Sequence, residues 1–438
     1  MARENSKNMR RFSVATLGCK VNQYESAAII NALQKAGLSY VPFTAKADCY
    51  IINTCTVTAK TDYQSRQLIR RAIRQNPAAK VVVTGCYAEL QAAAIAKIPG
   101  VTQIVGNKEK QSLVERVMGS KMYAQGKEET WTNNFPPPAV LPGRTRASLK
   151  IEDGCDAFCS YCIVPLARGP VLSLPPTEVI KRLSLLIQTG SREVTLTAIH
   201  LGAYGRDLNP PCSLDELLLQ VARLPGEARI RLSSIEPLEI SERLISLLAA
   251  GDKICPHLHI PLQSGDDEVL ARMNRNYSAK FIRHLINEIT TLCPDVAIGM
   301  DVMVGFPGES EASFAKTYAL LEELPIAYLH VFPYSRRPGT PAASFPDQVP
   351  EEEKRKRAMA LRLLDQKKRR AFMACFFQRP IEIVVEQRRD KKTGLIKGIS
   401  KHYLPVVVEN LTEKDANTIQ TVRPIRIEEG MILAEASR

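Results

Sequence analysis

Cys155, Cys159 and Cys162 fall in one short stretch, Gly154-Cys-Asp-Ala-Phe-Cys-Ser-Tyr-Cys-Ile163. Thiolates this close together are soft ligands for iron or zinc. A four-iron cluster normally takes four thiolates, but this run supplies three, and the next cysteine is Cys212. A cubane held by three thiolates leaves one iron without a protein ligand. Such an iron can bind a reagent, which a fully ligated electron carrier cannot. Zinc is the alternative. Zinc knuckles usually carry two C-x2-C pairs or a histidine pair, and neither follows here.

A second set of cysteines emerges from the elements that must position them. The first 110 or so residues alternate strand and helix patterns, with strands at Phe12–Leu17, Asp48–Thr54 and Lys80–Thr84. A helical pattern runs from Glu25 to Ala36 and stops at Gly37; a basic one ends near Gln75, before Asn76-Pro77. This alternation predicts an open parallel α/β sheet. Cys19, Cys55 and Cys86 each stand just past the C-terminal end of a predicted strand. That edge is where open α/β sheets bind ligands, so three cysteines there point to a second metal site. Ordinary buried cysteines are the alternative.

The proline run Trp131-Thr-Asn-Asn-Phe-Pro-Pro-Pro-Ala-Val-Leu-Pro-Gly143 reads as a stiff linker. From 144 to 375, six strand-like runs alternate with helices, beginning at Ala147–Ile151 and ending at Ala327–Phe332. Six βα units suit a partial, open (β/α)6 barrel, with the Cys155 run after its first strand, at the C-terminal mouth. Glu236 and Gln263-Ser264 lie at strand ends facing that mouth and are candidate polar contacts to a bound cofactor; turn and cap roles are the alternative. Residues 376–438 change to short strands separated by polar turns, with strand-like runs at Ile381–Glu386, Thr393–Ser400, Leu404–Glu409 and Arg426–Leu433, and predict a small all-β barrel.

The 438 residues carry a net charge of +13, compatible with a polyanionic partner. Arg66, Arg70, Arg71 and Arg74 recur at helical spacing, and 354–370 holds nine basic residues against Asp365. Two clustered runs suit phosphate neutralisation; solvated helix faces are the alternative. The polar N-terminus shows no secretory h-region, and no apolar run has the length of a membrane span, so a cytoplasmic protein without membrane contact is expected. Eleven cysteines then speak for metal or thiol chemistry rather than a disulfide framework.

Read together, the ordered motifs closely resemble the radical S-adenosylmethionine (SAM) methylthiotransferase family over nearly the whole chain. They are Thr16-Leu-Gly-Cys-Lys-Val-Asn, Asn53-Thr-Cys-Thr-Val-Thr, Thr84-Gly-Cys-Tyr-Ala, the Cys155 run, Arg231-Leu-Ser-Ser-Ile-Glu-Pro, His259-Ile-Pro-Leu-Gln-Ser-Gly, Asp301-Val-Met-Val-Gly-Phe-Pro-Gly-Glu and Tyr334-Ser-Arg-Arg-Pro-Gly-Thr-Pro. The resemblance implies two 4Fe-4S clusters, one on Cys19, Cys55 and Cys86 and one on Cys155, Cys159 and Cys162, the latter binding SAM. It implies a methylthiotransferase domain over 1–130, a linker over 131–143, a radical-SAM core over 144–375 and, over 376–438, a barrel similar to the RNA-binding TRAM domain. Cys49, Cys212, Cys255, Cys293 and Cys375 match no ligand motif and read as structural.

Of the family's branches, the motifs look most like the one that acts on threonylcarbamoyladenosine in tRNA, 3′ of the anticodon, at C2 of the base. Isopentenyladenosine in tRNA and a ribosomal-protein aspartate are the substrates of the others. The resemblance further implies a flavodoxin- or ferredoxin-type electron donor and a sulfur donor. A non-catalytic iron–sulfur sensor that binds RNA is the rival from another class.

Overall fold

The computed structural model describes residues 9–119, 135–377 and 379–437; the expected linker residues 131–134 lie outside them. The N-terminal unit is a five-stranded parallel sheet in the order β2-β1-β3-β4-β5. Its strands are β1 (Arg11–Thr16), β2 (Ser39–Tyr40), β3 (Cys49–Thr54), β4 (Lys80–Gly85) and β5 (Gln103–Val105). Helices α1 (Lys20–Lys35), α2 (Ala59–Gln75), α3 (Cys86–Leu90), α4 (Ala92–Ala96) and α5 (Leu113–Met118) cover it. The central strands β3 and β4 are buried on both faces, which explains their unbroken apolar runs. Cys49, inside β3, is packed in the core as expected.

The central unit holds six parallel strands: β6 (Ala147–Lys150), then, after a short clasp of β7 (Glu152–Asp153) with β8 (Leu172–Ser173), β9 (Glu193–Thr197), β10 (Arg229–Leu232), β11 (His257–Gln263), β12 (Ala297–Val304) and β13 (Tyr328–Pro333). They form two three-stranded halves, β6-β9-β10 and β11-β12-β13, joined by a parallel bridge between Ser234 and His259. This is the expected partial barrel. Short α6 (Val164–Arg168) closes the cysteine loop. Helices α7 (Pro176–Gln188), α8 (Leu214–Ala222), α9 (Glu242–Ala250), α10 (Asp267–Arg272), α11 (Ala279–Leu292), α12 (Glu311–Glu323) and α13 (Glu351–Ala374) follow. Strand residues that alternate outward, such as Leu258, Ile260, Ile298 and Met300, pack with Leu and Ile of these helices. Their neighbours, His257, His259 and Asp301 among them, consequently face the lumen.

The basic run 354–370 is only partly a solvated face. Arg357 is buried and donates to Glu309, Lys368 donates to the carbonyls of Glu322 and Leu324 at 2.7 Å each, and Arg369 stacks over Tyr328. These cations staple α13 to the barrel, which withdraws them from any polyanion. On α2, Arg70, Arg71 and Arg74 are exposed, and Arg66 reaches Tyr87 Oη at 3.0 Å.

The C-terminal unit is a closed barrel in the order β14-β15-β16-β18-β17. Its strands are β14 (Ile381–Arg389), β15 (Ile396–Ser400), β16 (Pro405–Val408), β17 (Ile419–Glu428) and β18 (Met431–Ala436). The run Arg426–Leu433, expected as one strand, is instead a hairpin corner. The chain turns at Glu429 and Gly430, which adopt φ of 49° and 77°. The barrel docks through backbone: Arg229 and Arg231 of β10 donate to the carbonyls of Ile399, Ser400 and Lys401 at 2.5–3.0 Å. Glu193 of β9 holds both arginines, at 2.7 and 2.9 Å.

Candidate active site at the mouth of the barrel

The structure gathers the first cysteine set. Cys19 caps the start of α1, Cys55 follows β3, and Cys86 opens α3 directly after β4. Glycine makes the close approach possible. A Cβ on Gly18, at φ +95°, would lie 2.8 Å from Cys55 Sγ, and one on Gly85, at φ +97°, would lie 2.3 Å from the Thr54 carbonyl. Burial, with Cys86 and Cys19 beside it, pushes the Cys55 thiol up to about 11; burial and Cys86 likewise raise Cys19, against the pull of Arg168. Asn107 Nδ2 approaches Cys86 Sγ at 3.5 Å.

The second set sits on the loop between β7 and α6. Burial, with Cys159 and Cys155 adjacent, pushes Cys162 up to about 12. Cys155 N donates to the Gly169 carbonyl at 3.0 Å, and Cys162 N to the Cys159 carbonyl at 3.0 Å, folding the loop back on itself. His200 Nδ1 lies 3.6 Å from Cys155 Sγ, with Nε2 held by Glu239 at 2.9 Å.

Each set thus brings three thiols into one another's field. A cationic centre removes that repulsion by taking all three as thiolates. Thiolates of a cubane stand farther apart than ligands of a single ion. Accordingly, the one group of ligand atoms within 4.8 Å of one another among the described residues is not a cysteine set; it is His259, Asp301 and His330. In kind and number, the three thiols of each set suit a four-iron cluster that takes its fourth ligand from elsewhere.

Between the two sets lies a buried ion network that the sequence did not reveal. Arg168 Nη1 bridges Glu25 Oε1 at 2.9 Å and Asp153 Oδ1 at 3.0 Å, and Nη2 reaches Asn22 Oδ1 at 2.6 Å. Lys110 adds Glu25 Oε2 at 2.6 Å, and Lys150 adds Glu25 and Asp153 at 3.1 and 2.9 Å. Burial alone would raise Glu25, but Arg168, Lys110 and Lys150 outweigh it and hold the carboxyl well below the usual range. Three cations face two carboxylates, leaving a net positive charge beside both cysteine sets, and the buried Arg168 Nε has no hydrogen-bond partner among the described residues. An anionic cluster on either side suits that excess.

Of the candidate cofactor contacts, Glu236 is half-buried beside the Cys159 loop. Arg275 fixes it at 2.5 Å, and the same guanidinium takes Tyr161 Oη at 2.7 Å. Gln263 ends β11 at a bulge with φ 64°. Ser264 is buried with its hydroxyl 3.3 Å from Thr317 Oγ1 and 3.2 Å from Asp266 N, which makes it a turn residue. Cys212 and Cys375 bond nearby backbone carbonyls, and Cys255 and Cys293 are buried, as structural thiols should be.

These two facing cysteine sets, on a parallel sheet and at the mouth of a partial barrel, define an iron–sulfur radical enzyme. Residues 11–106 match the uncharacterized protein family UPF0004 and 149–321 match the Radical SAM superfamily. The chain is 40% identical over 411 residues to the threonylcarbamoyladenosine tRNA methylthiotransferase MtaB of Bacillus subtilis, covering 90% of this chain and 89% of that protein. It is 32% identical to the tRNA-2-methylthio-N(6)-dimethylallyladenosine synthase of Clostridium botulinum, covering 93% and 88%. The fold resembles the radical SAM methyltransferase TsrM of Kitasatospora setae, with a TM-score of 0.54 at 15% identity over 76% of this chain and 75% of that one. The chain belongs to the radical-SAM methylthiotransferases. Its cofactors are 4Fe-4S clusters and SAM. No helix among the described residues is long and apolar enough to cross a membrane.

Proposed function

We propose that this enzyme installs a methylthio group at C2 of N6-threonylcarbamoyladenosine in tRNA. The observation that carries this reading is the identity of 40% over 90% of the chain to a relative named for that substrate, against 32% to one named for dimethylallyladenosine. Cys155, Cys159 and Cys162 hold the cluster that takes SAM, and Cys19, Cys55 and Cys86 hold the second. Bound there, the reduced cluster and SAM supply a carbon radical able to take hydrogen from an unactivated ring carbon.

The chain's own residues handle placement. Glu236, braced by Arg275, offers a carboxylate to the SAM amino group beside Cys159. The network around Glu25 and Arg168 holds the two cysteine sets face to face, so that both act on one base. The exposed arginines of α2 and the C-terminal barrel, read as a TRAM domain, grip the RNA. An electron donor, a sulfur donor and a cytoplasmic setting complete the reading.

The test uses reconstituted protein, SAM, dithionite and tRNA carrying threonylcarbamoyladenosine labelled with deuterium at C2. Digestion and mass spectrometry should show the methylthio product, and the deuterium should move into 5′-deoxyadenosine. Product with unlabelled 5′-deoxyadenosine removes C2 from the proposal. Product on dimethylallyladenosine tRNA alone replaces the branch.

A further inference from the structure

Below the strand ends that lead to Glu236 and Gln263, three polar side chains converge that the chemistry above leaves unused. His259, Asp301 and His330 stand on β11, β12 and β13, neighbouring strands of one parallel sheet. Asp301 pairs with His330 across β12 and β13, and His259 sits one diagonal step away, opposite Gly299. Asp301 Oδ1 lies 2.8 Å from His259 Nε2 and 3.4 Å from His330 Nδ1. One ligand atom from each of the three falls within 4.8 Å of the other two. Two imidazoles and a carboxylate are a donor set for divalent first-row metals. Donors about 2.0–2.2 Å from one ion stand roughly 3–3.5 Å from each other, so the rings need little movement to share one.

The groups behind these donors fix their direction. Gly299 stands in register between His259 on one side and Tyr328 on the other. A Cβ on Gly299 would overlap the Tyr328 ring, so glycine here lets a tyrosine of β13 cross β12 and reach β11. Tyr328 Oη meets His259 Nδ1 at 3.1 Å and His257 Nε2 at 2.8 Å. A hydroxyl both accepts and donates, so it can take the Nδ1 proton of His259 while giving its own to His257. That leaves the lone pair of His259 on Nε2, the nitrogen beside Asp301, which is the tautomer a metal requires. The nearby cation Arg369, over the Tyr328 ring, is paired with Asp365 at 2.9 Å. His259 and Asp301 are 10% and 22% exposed, whereas His330 is 45% exposed, so the set is open on the His330 side.

We propose that His259 Nε2, Asp301 and His330 Nδ1 bind one divalent first-row metal ion, zinc foremost, separate from both cysteine sets. Imidazole and carboxylate suit such an ion, as thiolates suit iron–sulfur clusters. Three protein ligands leave a tetrahedral ion one free position, as in sites that bind water or a ligand oxygen. The site stands whichever nucleoside the enzyme modifies.

The experiment uses the full-length protein with its clusters reconstituted, washed with chelator and then dialysed against zinc. Metal analysis should find one zinc per chain beyond the cluster iron, and zinc X-ray absorption should show nitrogen and oxygen neighbours without sulfur. Tyr328→Phe, which removes only the supporting hydroxyl, should weaken zinc binding by about 10–100-fold. His330→Ala, which removes a ligand, should weaken it further, with iron and sulfide unchanged. If His330→Ala loses iron, Asp301→Ala and Tyr328→Phe carry the comparison. No zinc beyond the clusters overturns the site and reduces the three side chains to a polar contact. Sulfur neighbours place the zinc on cysteine and overturn it too, as does equal affinity in the variants and the unaltered protein. Methylthiolation of a different nucleoside would replace the proposed function and leave this site untouched.

Discussion

Arg168 Nη1 and Glu25 Oε1 lie 2.9 Å apart, although 143 residues separate them. Glu25 stands on the helix that Cys19 opens, and Arg168 ends the helix that follows Cys162. One ion pair thereby locks the loops of both cysteine sets to each other. Removing Arg168 takes from Glu25 and Asp153 a guanidinium that bonds both buried carboxylates and leaves only Lys110 and Lys150 to hold them. Arg168→Ala should lower the unfolding free energy by about 3–5 kcal/mol, read by chemical denaturation of the apoprotein. In the loaded enzyme it should raise the amount of 5′-deoxyadenosine formed per methylthio group. Unchanged coupling would reduce Arg168 to a stability residue.

The division of labour between the two sets is separable by iron analysis. Cys155→Ala, Cys159→Ala or Cys162→Ala should abolish SAM cleavage. Cys19→Ala, Cys55→Ala or Cys86→Ala should halve the iron, keep SAM cleavage and stop methylthiolation. Methylthiolation by a Cys86→Ala protein would refute that division.

Glu236 and Ser264 began as equal candidates for SAM contact, and their surroundings now distinguish them. Glu236→Ala should weaken SAM binding by about 10–100-fold in equilibrium dialysis. Ser264→Ala removes a hydroxyl engaged with Thr317 and Asp266, so it should cost about 1 kcal/mol of stability and leave SAM affinity within about twofold. The reverse pattern would exchange their roles.

Glu193 is fully buried between Arg229 and Arg231. Burial would raise its carboxyl, but the two guanidiniums and Arg146 overcome that and hold it far below its ordinary value. A depressed carboxylate contributes its stability above the unfolded-state value near 4.5 and loses it as pH falls below. Thermal unfolding of the apoprotein should therefore drop between pH 5 and pH 3, and a Glu193→Gln protein, less stable throughout, should show a shallower drop. Parallel pH curves for the two proteins would rule this linkage out.

The grouping of the cysteines was legible in the sequence because each stands at a strand end or within one short loop, where spacing and strand order alone bring them together. The barrel strands were legible for the same reason: apolar runs bounded by turns. The Glu25 network was not. Its members lie on α1, the segment before α5, β6, the clasp and α6, and each reads singly as an ordinary surface charge. Arg357 and Lys368 misled in the opposite sense, since a cation that caps a carbonyl or a buried glutamate has the same sequence signature as one that meets phosphate. The Glu429-Gly430 corner was missed because isoleucines on both sides continue the strand pattern through it.

The C-terminal barrel meets Arg229 and Arg231 through the carbonyls of Ile399, Ser400 and Lys401. Every amino acid presents the same oxygen, so exchanging side chains along that loop leaves the grip untouched. Mutational tolerance at this junction is consequently one-sided: the appended module can drift in sequence, or be swapped for another of like backbone, while the two arginines cannot change.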